Sequence, residues 1–210
     1  MFILGISGKI GTGKSTLAKL IDESVYYDDS TRLYPVSQIT DSAIYSFSGV
    51  LKEEVAKVYC LPLESLYSQE GKATVVKIQD DPELWPYGRQ RATIREILQW
   101  YGTEYVRKAN PDYWIEALDL KLRPLESKQI LVIVDDVRFP NEHQFVKSRG
   151  AVIRLEPFEG WKPGPYAGHQ SETALDSAAF DLVLRPKVDE LALVIPQIAS
   201  LIWHSIFLKR

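Results

Sequence analysis

Ile3-Leu-Gly-Ile-Ser-Gly-Lys-Ile-Gly-Thr-Gly-Lys-Ser-Thr16 decides how this 210-residue chain folds. Gly8, Gly13, Lys14 and Ser15 occupy the fixed positions of the pattern G-x-x-x-x-G-K-[ST]. The apolar run at 2–6 precedes it and reads as a buried strand. A helix-compatible run at 14–24 follows, with Leu17, Leu20 and Ile21 at helical spacing. Strand, glycine loop and helix together are the context in which this pattern binds phosphate. The glycines let the loop turn its N–H groups inward as an anion nest. The helix that starts near Lys14 adds partial positive charge at its N-terminus. The Lys14 ammonium can reach β- and γ-phosphates, and the Ser15 hydroxyl suits Mg²⁺. Gly8, Gly11, Thr12, Gly13, Lys14, Ser15 and Thr16 are therefore the expected ATP-binding set. The motif does not say what receives the phosphate.

Bulk composition narrows the class. The length suits a single domain over 1–210, and the 45% hydrophobic and 25% charged content is ordinary for a globular chain. A net charge of −3 argues against binding nucleic acid through bulk positive charge. Cys60 is the sole cysteine, which fits a reducing, cytoplasmic compartment and reads as a small core-filling residue. No apolar run reaches the roughly 18 residues of a membrane span. With one Cys and three His, no zinc site is supported.

Further along, 25–27 reads as a short strand and 28–40 as a loop. Residues 46–49 break the pattern, and 50–59 form a helix. The stretch 68–91 reads as an irregular flap. A helix is expected over 92–108, with Ile94, Ile97, Leu98, Tyr101 and Tyr105 on one face, and Arg95, Gln99 and Gly102 on another. In that helix Gly102 marks a close approach or a kink. A second helix follows at 112–122. The run 130–134, five apolar residues before Asp135-Asp136, is the clearest buried strand. A helix at 141–149, a strand at 151–155, a glycine- and proline-rich lid-like loop at about 156–172 and a strand at 181–184 complete the alternation. The last helix, 188–208, is expected to kink at Pro196. Its Trp203, Ile206, Phe207 and Leu208 suit the core or, alternatively, a homodimer contact. Strands alternating with helices give the α/β class, a P-loop NTPase with a parallel sheet and helices on both faces. Ligands in such folds sit at the carboxyl ends of the strands. That end would gather the phosphate loop, the Asp135–Asn141 loop and the lid.

An apolar strand ending in Asp has the form of a Walker B element, so Asp135 and Asp136 are both candidates for Mg²⁺ alongside Ser15. Arg138 follows in a loop where its planar fork can hold phosphate oxygens. Arg89, Arg91, Arg95 and Arg107 surround the central helix, and an acceptor bearing phosphate needs such cations.

Four segments resemble the deoxynucleoside monophosphate kinases of tailed bacteriophages: Gly8–Ser15; Arg95-Glu-Ile-Leu-Gln-Trp-Tyr-Gly-Thr-Glu104 with Arg107 and Asp112-Tyr-Trp114; Asp136-Val-Arg-Phe-Pro-Asn-Glu142; and His169-Gln-Ser-Glu172. Tyr45-Ser-Phe-Ser-Gly-Val-Leu-Lys52 resembles the acceptor-side segment of that family. The resemblance implies an NMP-kinase-like fold, with an acceptor-binding insertion at about 28–92. It also implies ATP- and Mg²⁺-dependent phosphorylation of (deoxy)nucleoside monophosphates. Lys14, Arg95, Asp136 and Arg138 would be the catalytic set. Arg95, Arg107, Trp114, Arg138, Glu142 and Glu172 would bind the acceptor. The expected partners are small-molecule nucleotides, not nucleic acid or membrane, in the cytoplasm of the host if the chain is phage-encoded. Ser15 departs from the Asp that often follows the loop lysine in the phage enzymes, and Leu184-Arg185-Pro186 departs from their Asn-containing turn. Alternatives are a kinase of the phosphomevalonate or dephospho-CoA type, or a non-catalytic ATP switch. No guanine-binding Asn-Lys-x-Asp motif is present.

Overall fold

The computed structural model describes residues 1–25, 39–78, 90–164 and 168–207. In chain order the strands are β1 (Phe2–Gly8), β2 (Asp41–Tyr45), β3 (Val75–Lys77), β4 (Arg91–Thr93), β5 (Ile130–Val134), β6 (Gly150–Leu155) and β7 (Leu182–Leu184). The helices are α1 (Lys14–Val25), α2 (Phe47–Val58), α3 (Gln69–Ala73), α4 (Ile94–Gln99), α5 (Tyr113–Leu122), α6 (Pro140–Lys147), α7 (Gln170–Thr173) and α8 (Ile195–Phe207). The chain divides into two compact units, 1–46 with 121–210, and 47–120.

The first unit is built on a five-stranded parallel sheet in the order β2-β5-β1-β6-β7. β1 lies at its centre, paired with β5 on one side and β6 on the other. Burial on both faces explains why β1 and β5 read as continuous apolar runs. Leu4 and Ile6 join Leu131, Ile133, Ala151 and Ile153 on the face covered by α1 and α8. On the other face Val146 of α6 lies against Gly5. Each fully buried Leu or Ile contributes about 1.5–3 kcal/mol relative to exposure. This core fixes the register that brings the loops after β1 and β5 to the same sheet end.

Several elements differ from the sequence reading. Val25 ends α1 instead of starting a strand, while 26–38 lie outside the described residues. β2 takes up Asp41–Tyr45, which carry no clear strand signal. As an edge strand it has one neighbour, and its burial does not follow a clean alternation. Gly150 is the first residue of β6. A Cβ there would stand 1.9 Å from the Ile3 carbonyl oxygen, so strand contact demands the glycine. Residues 188–208 do not form one kinked helix. A 3₁₀ turn, Val188–Val194, precedes α8, and Pro196 stands in the first turn of α8, where its missing N–H is harmless.

In the second unit, part of the expected flap is ordered as α3 and as β3, which pairs antiparallel with β4. The rest of that flap, 79–89, including Arg89, lies outside the described residues. The central helix begins at Ile94, two residues later than expected, because Thr93 and Glu96 form a reciprocal cap. The Glu96 carboxylate accepts from Thr93 N–H at 2.8 Å, and Thr93 Oγ1 accepts from Glu96 N–H at 3.2 Å. From Trp100 to Arg107 the helix is π-wound. The wider turns bury Val106, five residues after Tyr101, and leave Tyr105 exposed, where an α-helical period would have buried Tyr105. Trp100 and Tyr105 stack with centroids 5.1 Å apart. Gly102 answers a close approach: a Cβ there would lie 2.7 Å from Leu51 Cδ2.

α2 begins at Phe47, so Gly49 is inside the helix and not a breaker. Cys60 is exposed, and the core-filling expectation for it is overturned. It sits just past α2 with φ 53°, where its N–H donates to the Lys57 carbonyl (3.4 Å) and Leu61 N–H donates to that of Ala56 (2.9 Å). That pair of bonds is a Schellman cap, which places its second residue past the helix in the left-handed region favoured by glycine. Replacing Cys60 with Gly removes a left-handed penalty but adds backbone freedom to the unfolded chain. The net expectation is stabilisation by about 0.5–1 kcal/mol, read as a raised urea midpoint at unchanged m-value.

Candidate active site

The phosphate loop leaves the end of β1 and enters α1. Gly11 (φ 79°) and Gly13 (φ 92°) adopt backbone that L-residues with side chains rarely take, which closes the loop in a few residues. Thr12 is buried, and its hydroxyl donates to the Lys9 carbonyl at 2.9 Å. Thr16 is exposed on the first turn of α1. Lys14 is only 8% exposed, and its ammonium donates to the carbonyls of Gly8 and Lys9, both at 2.8 Å. Burial, and then the Arg138 charge, lower its pKa to about 8; Glu172, Asp136 and Asp135 oppose the shift. A phosphate brought to this ammonium would remove much of that penalty.

The loop after β5 is held by main-chain bonds that extend the sheet. Asp135 N–H donates to Tyr45 O and Val137 N–H to Ile6 O, each at 3.2 Å. Ser15 Oγ donates to Asp135 Oδ2 at 2.6 Å. A hydroxyl and a carboxylate in contact form a pair of hard oxygen donors. That is the kind of protein contribution expected where Mg²⁺ takes its remaining ligands from water and phosphate. Ser15 and Asp135 thus fit the ion. Asp136 is buried beside Lys14 electrostatically. Among the described residues, no group of three or more His, Cys, Asp or Glu residues is arranged to hold a metal by itself.

Arg138 pairs with Glu172 through its Nη1. Glu142 is 2% exposed, and its Oε2 accepts from the N–H groups of Arg138 (2.8 Å) and Phe139 (3.0 Å). Its carboxylate therefore fixes the turn that carries Arg138 and caps α6. Glu172, beside α7's His169 cap, reaches the phosphate loop itself: its Oε2 accepts from Ile10 N–H at 2.7 Å. Trp161, in the lid-like segment, donates its indole N–H to the Ile10 carbonyl at 3.0 Å. A buried Arg154 on β6 completes the support. It donates to Ser7 Oγ (3.2 Å) and to Asp176 (3.0 Å), and Asp176 also receives the Lys9 ammonium (2.7 Å). Burial acts to raise the Asp176 carboxyl, but Lys9 and Arg154 outweigh it and hold it below the usual range. The structure thus gathers Lys14, Ser15, Asp135, Asp136, Arg138, Glu142 and Glu172 around one loop. It adds Trp161 of the lid-like loop, and Lys9, Arg154 and Asp176, to which the sequence reading gave no role of their own.

Arg95, Arg107 and Trp114 belong to the second unit. Arg95 donates to Gln69 Oε1 at 2.6 Å, and Arg107 to the Pro111 carbonyl at 3.4 Å. Trp114 is 2% exposed, its indole N–H donating to Gly102 O at 3.0 Å and its ring edge-on to Tyr113. Glu54 accepts from the hydroxyls of Tyr101 (2.8 Å) and Tyr113 (2.9 Å). Burial and the Glu54 carboxylate push both phenols above their usual range. Two further cations join Arg95. Lys72 of α3 has its pKa lowered to about 8, by burial first and then by the charges of Lys52 and Arg95. Lys52 of α2 also lies 4.4 Å from the Tyr67 ring centroid. A lysine on which two further cations act, with a glutamine on Arg95, forms a place suited to an anion. Lys52 closes the segment that resembles an acceptor side, whereas Lys72 was missed because it lies in a stretch without periodic signal, where the structure has the short helix α3.

No helix among the described residues is long and apolar enough to cross a membrane. No family model matches the chain. It is 29% identical over 200 residues, 88% of each sequence, to a protein of Acanthamoeba polyphaga mimivirus named "Putative deoxynucleotide monophosphate kinase". Among solved structures it is similar to shikimate kinase from Aquifex aeolicus, at 15% identity and a TM-score of 0.50, over 98% of this chain and 99% of that one. A shikimate kinase from Bacteroides thetaiotaomicron aligns at 10% identity and a TM-score of 0.43, over 95% and 97%. Together with the phosphate loop after a central β1, the Aquifex likeness gives this chain the α/β fold of the P-loop NTPases, NMP-kinase-like, with a parallel sheet flanked by helices.

Proposed function

We propose that the protein transfers the terminal phosphoryl group of ATP to a (deoxy)nucleoside monophosphate, giving a diphosphate. The observation that carries this reading is the convergence of the phosphate loop, the Ser15–Asp135 pair and Arg138 at one end of the sheet. The name of the mimiviral relative, whose similarity spans most of both chains, supports a monophosphate acceptor.

In this reading the loop Gly8–Thr16 cradles the donor's phosphates. Ser15 and Asp135 would hold Mg²⁺, which would supply charge neutralisation, and Asp136 adds negative charge felt at Lys14. Lys14 and Arg138 stabilise the charge that spreads over the transferring group. Glu142 keeps Arg138 in position. Arg95, Lys52 and Lys72 hold the acceptor's own phosphate, and Arg107 adds positive charge. The attacking atom is an acceptor phosphate oxygen that is already ionised, so no general base is required. Catalysis then comes from positioning and preorganised charge.

A coupled ADP-release assay with ATP, Mg²⁺ and a panel of dNMPs, NMPs, shikimate and phosphomevalonate tests the reading directly. Turnover with at least one nucleoside monophosphate is expected. Turnover only with a non-nucleotide acceptor, or with none, refutes it. Arg138→Ala is expected to lower kcat by about 10³-fold or more. Its ATP affinity should change by less than about tenfold, as measured by calorimetry.

The acceptor side has its own pH signature. An unliganded Lys72 with a pKa near 8 binds fewer protons than in the unfolded chain between that value and about 10.4, so this group makes stability rise with pH there. A bound phosphate favours the charged amine and raises that pKa. Monophosphate affinity should therefore fall as pH climbs above 8, with proton uptake on binding visible in calorimetry across buffers of different ionisation heat. Lys72→Met should weaken binding and flatten the dependence.

A further inference from the structure

Glu172 makes two contacts that do not resemble those of an ordinary surface carboxylate. One oxygen takes the N–H of Ile10, inside the phosphate loop, at 2.7 Å; the other takes the guanidinium of Arg138. The side chain is 4% exposed, and its charge is felt at Lys14. A loop N–H, an arginine fork and a nearby buried ammonium are the donors that a terminal phosphate oxygen calls for. We infer that the Glu172 carboxylate occupies the place of a donor phosphate oxygen, and that nucleotide binds by exchanging phosphate for carboxylate.

The surroundings fit an exchange confined to the side chain. The main chain at Glu172 is anchored independently: Lys9 donates to its carbonyl and to Asp176, which Arg154 also grips. Glu172 N–H donates to the His169 carbonyl at 2.8 Å. The carboxylate can therefore leave while α7 stays. In the unliganded protein it supplies the acceptor for two partly buried donors, the Ile10 N–H and the Arg138 guanidinium. It competes with phosphate by the same contacts, so apparent affinity is reduced by the fraction of molecules in which it is bound. A phosphate wins because it brings more charge and more acceptor oxygens. The device keeps Arg138 ordered and the loop closed to weaker anions until a polyphosphate arrives.

The inference rests on the proposed donor site, so the test reads binding and not turnover. Glu172→Gln keeps an acceptor for Ile10 N–H but removes the charge facing Arg138; Glu172→Ala removes both and serves as the second variant if the first fails to fold. Asp189→Asn is the control, since it removes an exposed charge of the same unit, in the turn Val188–Val194, and leaves Ile10, Lys9 and Arg138 untouched. Calorimetric Kd values for ATP with Mg²⁺ and for tripolyphosphate are measured for each. Both Glu172 variants should bind the two ligands about tenfold more tightly than the parent, whereas Asp189→Asn should shift them by no more than about twofold. Unchanged or weaker binding by the Glu172 variants overturns the inference, because the carboxylate would then be positioning Arg138 in the bound state. Equal tightening by Asp189→Asn overturns it as well, as a general charge effect. Binding by the parent alongside any of these results leaves the donor site standing. Absence of binding by the parent and every variant removes both readings.

Discussion

Positive charge gathered beneath a tight glycine loop is the constraint that the first unit answers. Lys9, Lys14, Arg138 and Arg154 lie in or beside the loop, and Lys14 and Arg154 are buried. Cations removed from water require acceptors close by. Each has them. Lys14 takes two loop carbonyls, Arg138 takes Glu172, Arg154 takes Ser7 and Asp176, and Lys9 takes Asp176 and the Glu172 carbonyl. The parallel sheet supplies the register for this arrangement, since Arg154 and Ser7 are cross-strand partners in β6 and β1. The same ladder, continued by the bonds from Asp135 and Val137, brings the Ser15 partner to the loop.

The first unit was legible where local sequence and burial agree. β1, the loop, α1 and β5 each announce themselves within a few residues, because strands buried on both faces are apolar throughout and the loop needs glycine at set positions. β2 was invisible because an edge strand has neither a continuous apolar run nor, in this case, a clean alternation. The π-wound turn was invisible because nothing in a 3.6-residue period foretells a change of winding. It shows only as Val106 buried in place of Tyr105. Cys60 misled because residue type was taken as a guide to burial, whereas its place is set by how α2 ends.

The site followed the same division. Lys14, Ser15, Asp135, Asp136 and Arg138 could be found because they stand at fixed offsets from two strong strands. Glu142 could be found as a residue but not in its job: a carboxylate three residues into a helix reads equally as ligand or cap, and here it caps. The contacts of Glu172 with Ile10 N–H, and of Trp161 with the Ile10 carbonyl, engage the backbone, and backbone partners leave no trace in residue identity. Lys72 becomes meaningful only beside Lys52 and Arg95 in the folded second unit.

The π-wound segment has a geometric consequence for the arginines on either side of it. Positions 95 and 107 are twelve residues apart, and twelve residues of regular α-helix leave two side chains about a third of a turn out of phase. Wider turns over Trp100–Arg107 advance the rotation more slowly and carry position 107 back toward the azimuth of position 95. The segment therefore works as a phase corrector along one continuous rod. Eleven residues of regular α-helix come back to within about 20° of the starting side, so the wider winding takes up one extra residue while holding Arg107 on the side on which Arg95 stands.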